Sequence, residues 1–201
     1  RSLPAAAGEI LPEEFPQPGS GEETGLPGDG ERPESGEEFS RLSKMAVTLV
    51  LDNIRSQHNI GAAFRSADAF AAERIFLCGI CATPPSAEIH KSALGSENTI
   101  PWEYFEKTTD AVNRLRREGY EIISVEQTEN STMLNSIELC KERRYALVFG
   151  NEVKGVNQEV VDLSDTVLEI PQHGTKHSIN VSVSIGVVLW EFSKIIGRNQ
   201  R

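Results

Sequence analysis

Five short, largely apolar runs constrain most strongly what this chain can fold into. They are Val47–Leu51, Arg74–Cys78, Glu121–Val125, Tyr145–Phe149 and Val167–Ile170. Runs of this length without regular polar alternation are typical of strands that are buried on both faces, as in parallel sheets. Helical patterns lie between most of them, and alternating strands and helices predict an α/β domain with a parallel sheet.

Apolar residues at helical spacing predict three helices between and after these runs. The last helix is predicted despite its many β-branched residues, because its apolar positions recur every three to four residues. The predicted buried positions are Ile60, Ala63, Phe64, Ala67, Phe70 and Ala71 in the first helix, Val112 and Leu115 in a second that Gly119 ends, and Val181, Ile185, Val188, Leu189, Phe192 and Ile196 in the last.

Charge is distributed unevenly along the 201 residues. Residues 1–44 hold 4 Lys/Arg and 10 Asp/Glu and are rich in Pro, Gly and Ser, whereas residues 45–201 hold 16 and 20. A segment with so few β-branched and aromatic residues cannot bury enough apolar surface to offset the entropy lost on ordering. We therefore expect a disordered acidic tail over residues 1–44 and a single domain over residues 45–201.

Cysteine usage and hydropathy indicate the compartment. Three cysteines, an odd number, do not suit a secreted disulfide framework. No apolar run reaches the ~18 residues of a membrane helix. Cys78 and Cys81 have CxxC spacing, but they end a predicted strand and no second pair exists, so two inert thiols are favoured over redox or metal chemistry. We expect a cytoplasmic protein with no membrane segment and no metal.

Polar segments adjoin the apolar elements at four places. Phe149-Gly150-Asn151-Glu152 and Ile170–Gly174 end strands, Ser178-Ile179-Asn180 precedes the last helix, and Asn59–Arg65 opens the first. Ligand sites of parallel α/β sheets form beyond the carboxyl ends of strands, which predicts that these segments meet. Taken singly, the glycines are more typical of turns and the isoleucines of core.

In this order, the four segments resemble the motifs of the SpoU branch of the SPOUT superfamily, the S-adenosylmethionine-dependent RNA 2′-O-ribose methyltransferases. The resemblance covers roughly residues 45–197. It implies a Rossmann-like α/β domain with a C-terminal trefoil knot, S-adenosylmethionine as cofactor, and a homodimer. Relatives without a fused RNA-binding domain generally act on tRNA, so we expect tRNA before rRNA. A non-catalytic RNA-binding module that kept the fold is the alternative.

The resemblance also implies roles for individual residues. Glu152, Ser178 and Asn180 are expected to shape the cofactor and ribose pockets through hydrogen bonds and helix capping, and Asn59 to cap the first helix. By position, the implied cofactor-binding residues are Phe149, Gly150, Ile170, Gly174 and Ile179, the catalytic ones Arg65, Glu152, Ser178 and Asn180, and the RNA-binding ones Asn59 and Arg65.

Arg65 is the catalytic candidate in the family pattern, in which it is proposed to deprotonate the ribose 2′-hydroxyl. Arginine stays protonated in proteins, however, and its fixed donor fork suits a phosphate oxygen better. We therefore expect Arg65 to bind RNA phosphate and to stabilise the developing alkoxide electrostatically. A surface salt bridge is the alternative interpretation.

The acidic balance is unusual for an RNA-binding domain, which commonly has a basic surface. Residues 45–201 carry a net charge of −4. Lys91, in the stretch His90–Gly95 near Trp102 and Tyr104, is a candidate for RNA contact, because aromatic rings can stack on unpaired bases. A local basic patch is expected from Arg55, Arg65, Lys91, Lys154 and Lys176. An enzyme for another nucleotide would show a GxGxxG loop after the first strand, and Leu51–Arg55 is not one.

Overall fold

The computed structural model describes residues 44–175 and 178–197, which form a domain around a seven-stranded sheet. Neighbouring strands run parallel in the order β3-β2-β1-β6-β4-β7-β5. The predicted parallel α/β fold is therefore confirmed. The strands are β1 (Met45–Asp52), β2 (Ala72–Cys78), β3 (Trp102–Phe105), β4 (Tyr120–Val125), β5 (Thr132–Met133), β6 (Arg144–Phe149) and β7 (Thr166–Glu169).

Helices cover both faces of the sheet. They are α1 (Gln57–Ala69), α2 (Ala87–Ala93), α3 (Thr108–Arg117), α4 (Gln158–Asp162) and α5 (Val181–Ile196). One buried cluster joins α1 and α5 to the sheet, and a second joins α3 and α4 to the other face. In the part of the chain that the structure describes, no helix is both long and apolar enough to cross a membrane.

The three predicted helices are confirmed, with small differences at their ends. Helix α1 ends at Ala69, so Phe70 and Ala71 lie beyond it. In α5 the predicted face is buried at Ile185, Val188 and Phe192. The tail predicted over residues 1–44 lies, except for Lys44, outside the described residues, as do Lys176 and His177.

The prediction of five strands was incomplete, because β3 and β5 were missed. Strand β3 lies at the sheet edge, and its Trp102, Glu103 and Tyr104 are exposed. An edge strand of this kind lacks the continuous apolar run that identifies a buried strand. Strand β5 has two residues, which is too short for any periodic pattern.

The strand order reverses at the centre of the sheet. From β1 the chain moves outward through β2 to β3, and it then crosses to β4 on the opposite side, with β6 inserted between β1 and β4. Clefts beyond the carboxyl ends of strands at such a reversal are the usual ligand sites of open α/β sheets. The topology therefore predicts a ligand site at the carboxyl ends of β4, β6 and β7.

Candidate active site

A cavity of about 670 Å³ opens at the carboxyl ends of β4, β6 and β7. Its volume is within the range of small-molecule sites. Phe149, Leu168 and Ile170 form an apolar wall, and Ile179 and Asn180 approach from the start of α5. Three of the four segments that the sequence singled out therefore meet around one space.

Glu152 connects this cavity to the start of α1. Its carboxylate accepts hydrogen bonds from Arg55 N at 3.1 Å, Ser56 N at 3.0 Å and Asn59 Nδ2 at 3.1 Å. Burial alone would raise the pKa of Glu152, but these hydrogen bonds to the ionised form outweigh it and the pKa is lowered. The carboxylate is therefore an ionised acceptor at neutral pH.

Asn59 is the buried centre of this network. Its Oδ1 accepts from Asn180 Nδ2 at 3.3 Å, while Asn180 Oδ1 caps α5 by accepting from Ser182 N at 2.8 Å. The expected capping role of Asn180 is confirmed, but the one expected of Asn59 is wrong. Ser56 caps α1, with Asn59 N donating to Ser56 Oγ at 3.2 Å. The Asn59 side chain therefore hydrogen-bonds to both Glu152 and Asn180, and it links the start of α1 to the start of α5.

Gly150 is required by the backbone of a tight loop. A Cβ at this position would lie 2.1 Å from Gly155 C and from Val156 N. Asn151 and Gly155 exchange backbone hydrogen bonds of 3.0 and 2.9 Å that close the loop. The close approach expected at Gly150 is therefore found, but it is an approach to the chain itself.

Glu126 is a cavity residue that sequence reasoning missed. It follows β4, accepts from Val156 N at 2.9 Å, and would collide with any side chain at Gly155, whose φ is +70°. Glu169 also lines the cavity and accepts from Ser131 Oγ at 2.5 Å. Glu126 directly follows one predicted strand and Glu169 is the last residue but one of another, and these positions were the signal available in the sequence. With Glu152, they give the wall three carboxylates against one cation, Lys154.

Most of the predicted site residues lie together, although four lie outside the cavity wall. Gly174 is not among the lining residues, and Asn59 reaches the site through Glu152. Lys91 is exposed on α2 and pairs with Glu88 at 2.6 Å. The predicted residues that line the cavity are Phe149, Gly150, Glu152, Ile170, Ser178, Ile179 and Asn180.

Arg65 lies on the exposed face of α1 and makes no hydrogen bond or ion pair to the described residues. It follows Asn59 by six residues, which is about 9 Å along the helix axis.

The CxxC pair, Cys78 and Cys81, is buried, and its thiols are expected to have low reactivity. Burial raises the pKa of both thiols, that of Cys81 to about 11. Cys81 Sγ accepts from Ile54 N and donates to Leu51 O. The interpretation of Cys78 and Cys81 as inert thiols is therefore supported. Among the described residues, no group of three or more His, Cys, Asp and Glu is placed to hold a metal ion.

Comparison with known proteins gives a consistent result. The family model described as "SpoU rRNA Methylase family" matches residues 46–190. The chain is 33% identical over 150 residues to a 23S rRNA (guanosine-2′-O-)-methyltransferase RlmB of Nitrosomonas europaea, covering 75% of this chain and 56% of that protein. It is 29% identical over 155 residues to a tRNA (guanosine(18)-2′-O)-methyltransferase of Aquifex aeolicus, covering 75% and 71%.

A similar solved structure is the AdoMet-bound rRNA methyltransferase from Sinorhizobium meliloti. It superposes with a TM-score of 0.68 at 26% identity, covering 77% of this chain and 61% of that one. The chain thus spans little more than half the length of one of these relatives and under three quarters of the others.

Proposed function

Because the chain belongs to the SpoU rRNA methylase family, we propose that it transfers a methyl group from S-adenosylmethionine to a ribose 2′-hydroxyl of RNA, with residues 45–201 as the catalytic domain. The observation that carries the proposal is the anionic cavity at the strand ends, joined through Glu152 and Asn59 to the helix that bears Arg65. These groups come from four separate segments.

The cavity residues fit S-adenosylmethionine. The cofactor supplies a methyl group on a positively charged sulfonium, and Glu126, Glu152 and Glu169 place three carboxylates around the space. Opposite charges attract more strongly where water is partly excluded. Phe149, Ile170 and Ile179 offer apolar surface for an adenine ring, and 670 Å³ accommodates a ligand of this size.

The residues of the chain would act mainly by positioning. Methyl transfer is an in-line displacement, and holding the two reacting atoms at about 3–3.5 Å supplies much of the rate acceleration. Ser178 and Asn180 border the cavity where α5 begins and offer polar groups to the ribose. Arg65 binds a phosphate through its fixed fork and favours negative charge on the 2′-oxygen. The proton leaves to water, since arginine is not a base.

The substrate we propose is tRNA, with rRNA as the alternative. The two relatives described above carry these two substrates in their names. The match extends over 71% of the tRNA methyltransferase of Aquifex aeolicus and over 56% of the rRNA methyltransferase of Nitrosomonas europaea, which favours tRNA. The setting we propose is the cytoplasm.

We also propose a C-terminal trefoil knot. The segment after β7 and the start of α5 contribute Ile170, Ile179 and Asn180 to the same cavity wall as Phe149 and Glu152. A wall of this kind is what a chain threaded back through its own loop would build, and an experimental structure traced for topology tests it.

A homodimer completes the proposal. Val183, Val187 and Trp190 are 51%, 38% and 59% exposed, and they form a stripe along one side of α5. Trp190 also contacts Phe70 beyond α1. Two-fold pairing is the commonest way to cover such a surface. Val187→Glu is expected to convert a dimer into a monomer by light scattering, and a wild-type monomer at micromolar concentration would contradict the dimer.

The test of the activity separates cofactor binding from catalysis. Calorimetry should show S-adenosylmethionine binding to the folded protein, and total tRNA and rRNA incubated with the labelled cofactor should acquire 2′-O-methyl groups detectable by nucleoside mass spectrometry. Cofactor binding without transfer to either RNA would favour the non-catalytic module. No binding at millimolar ligand would overturn the assignment of the cavity.

A further inference from the structure

The loop Gly150–Val156, between β6 and α4, lines the cofactor cavity along its whole length and carries Glu152. Packing contributes little at the tip of the loop, where Val153 is 82% exposed. The shape of the loop therefore depends on hydrogen bonds. Five consecutive backbone N–H groups donate to acceptors: those of Val153 and Lys154 to Asn151 Oδ1, that of Gly155 to Asn151 O, that of Val156 to Glu126 Oε2, and that of Asn157 to Asp52 Oδ2.

Asp52 is the one acceptor in this set that does not line the cavity. It ends β1 and is 1% exposed. Its Oδ2 accepts from Asn157 N at 2.8 Å, and its Oδ1 accepts from Asn53 Nδ2 at 2.8 Å and from Thr108 Oγ1 at 2.5 Å. All three partners donate, which suits a carboxylate, because its oxygens only accept in the ionised form. The hydrogen bond to Asn157 is therefore the route by which Asp52 influences a ligand in the cavity.

The opposite end of the loop is attached at the same place. Asn151 Nδ2 donates to Asn53 O at 2.7 Å. Asp52 and Asn53, adjacent at the end of β1, thus bind the two ends of the loop, which lie 105 and 98 residues further along the chain. Strand β1 lies between β2 and β6 in the sheet, and its residues 47–52 are buried. Core strands of this kind are among the last parts of a domain to open, so the loop is attached to a rigid support.

We propose that Asp52 is a positioning residue of the methyltransferase, which holds the loop Gly150–Val156 in the shape that binds S-adenosylmethionine before the cofactor enters. A cofactor that meets a preformed wall does not lose binding energy to ordering that wall. The inference rests on the proposed function and adds a residue outside the cavity to those that determine cofactor affinity. The alternative is that Asp52 stabilises the fold without affecting the cavity.

Hydrogen exchange in the wild-type protein is the first test, and it needs no variant. In the absence of cofactor, the N–H groups of Val153–Asn157 should exchange about 10-fold or more slowly than those of an unstructured peptide of the same sequence, although the loop tip is exposed. Fragments that cover β6 provide the internal reference for a buried strand. Exchange of the loop at the rate of the unstructured peptide would overturn the proposal.

Asp52→Ala and Thr108→Val form a matched pair. Both remove a buried hydrogen bond of the Asp52 carboxylate, but only Asp52→Ala removes the acceptor of Asn157 N. In Asp52→Ala the loop should exchange about 10- to 100-fold faster while β6 is unchanged. S-adenosylmethionine should bind about 5- to 50-fold more weakly to Asp52→Ala in calorimetry, because the cofactor must then order the loop. Thr108→Val should leave both quantities within about twofold of the wild type.

Kinetics provide a readout that a general loss of stability does not move. At a temperature at which the variant is folded, Asp52→Ala should raise KM for S-adenosylmethionine, whereas kcat at saturating cofactor should stay within about threefold of the wild type, because the bound cofactor restores the loop. Asp52→Ser, whose side chain is one bond shorter, should behave in the same way and replaces Asp52→Ala where that variant does not fold.

Asp52→Asn is the conservative variant. It keeps one acceptor oxygen, which can face Asn157 N while its amide donates to Thr108 Oγ1. The partly exposed Asn53 amide can then turn to water. Asp52→Asn should therefore retain most of the cofactor affinity that Asp52→Ala loses, and an equal loss in the two variants would contradict the role of the Asn157 hydrogen bond.

The outcomes separate the positioning role from the proposed function. Faster loop exchange and weaker cofactor binding in Asp52→Ala, but not in Thr108→Val, would establish the role. A lower free energy of unfolding in both variants, with unchanged cofactor affinity and loop exchange, would overturn the role and leave the methyltransferase in place. A wild type that binds no S-adenosylmethionine, with loop exchange still faster in Asp52→Ala than in Thr108→Val, would overturn the proposed function and reduce Asp52 to a structural support of the loop.

Discussion

Replacing Glu152 with alanine tests whether one carboxylate holds the start of α1 against the cavity wall. The change removes the acceptor of Arg55 N, Ser56 N and Asn59 Nδ2. Water can replace it at the two backbone N–H groups, because Arg55 and Glu152 are exposed. The Asn59 amide is only 6% exposed and loses a partner that water does not easily replace.

The expected cost follows from this difference in exposure. A buried donor without an acceptor costs about 1–3 kcal/mol, whereas exposed hydrogen bonds and ion contacts contribute a few tenths to about 1 kcal/mol. We therefore expect Glu152→Ala to lower the free energy of unfolding by about 2 kcal/mol at neutral pH. The free energy of unfolding is measured by urea denaturation followed by circular dichroism.

The same contact predicts a dependence on pH. The pKa of Glu152 is lowered from 4.5 in the folded protein, so its contribution is complete above 4.5 and is lost as the pH falls through the folded pKa. The difference between wild type and Glu152→Ala should be constant from about pH 6 to 8 and should narrow at acid pH. Glu138→Ala, which removes an exposed carboxylate without a hydrogen bond to described residues, is the matched control.

A double-mutant cycle decides whether the reasoning is correct. In an Asn59→Ala background no buried donor remains, so Glu152→Ala should cost clearly less than in the wild type. Equal costs in the two backgrounds would refute the assignment of the effect to Asn59. A difference that stays constant down to acid pH would show that the ionised carboxylate is not the stabilising form.

Three further predictions follow from separate features. Arg65→Ala should abolish methyl transfer without changing the affinity for S-adenosylmethionine in calorimetry, and Arg65→Lys should not restore activity. The slope of log K for RNA binding against log salt concentration should become shallower by about 0.7–0.9 in Arg65→Ala, and a parallel loss of cofactor affinity would mean a structural role. Gly150→Ala should lower the free energy of unfolding by about 1–3 kcal/mol in urea, because its Cβ would meet backbone at 2.1 Å. Of the three cysteines, the exposed Cys140 alone should react with a thiol reagent at mildly alkaline pH in the native protein, since Cys78 and Cys81 are buried and the pKa of Cys81 is raised to about 11. Rapid labelling of all three would contradict the burial of Cys78 and Cys81.

The sequence was most informative where local patterns decide the structure. The five buried strands and the long helices combine residue types and spacing that leave little choice. The start of α1 was ambiguous because Ser56 and Asn59 are both good capping residues three positions apart. The choice depends on Glu152, which lies 93 residues from Asn59 in the chain. A local rule cannot include that contact.

Most residues of the candidate site could be predicted from the sequence, whereas the hydrogen bonds between its segments could not. The order of the motifs identified Glu152, Ile179 and Asn180, and the structure places them on one cavity. The same motifs gave no information about Glu126, whose partner Val156 lies 30 residues away. Helix α2 and strand β3 could not be anticipated either, since the periodic pattern did not reveal them.

The acidic composition becomes compatible with RNA binding once the positions of the basic residues are considered. Around the amino ends of the strands and the end of α3, five arginines are held in ion pairs with carboxylates: Arg74, Arg114, Arg116, Arg143 and Arg144. Arg55, Arg65 and Lys154 form no ion pair with any described residue, and Arg55 and Lys154 adjoin the cofactor cavity. Cations available to phosphate are therefore present near the carboxyl ends of the strands and on the helix that starts there, although Arg117 and Lys141 are also exposed and form no ion pair with a described residue. So few phosphate contacts supply only a modest non-specific affinity. Selection of the RNA must then come from contacts other than those to phosphate.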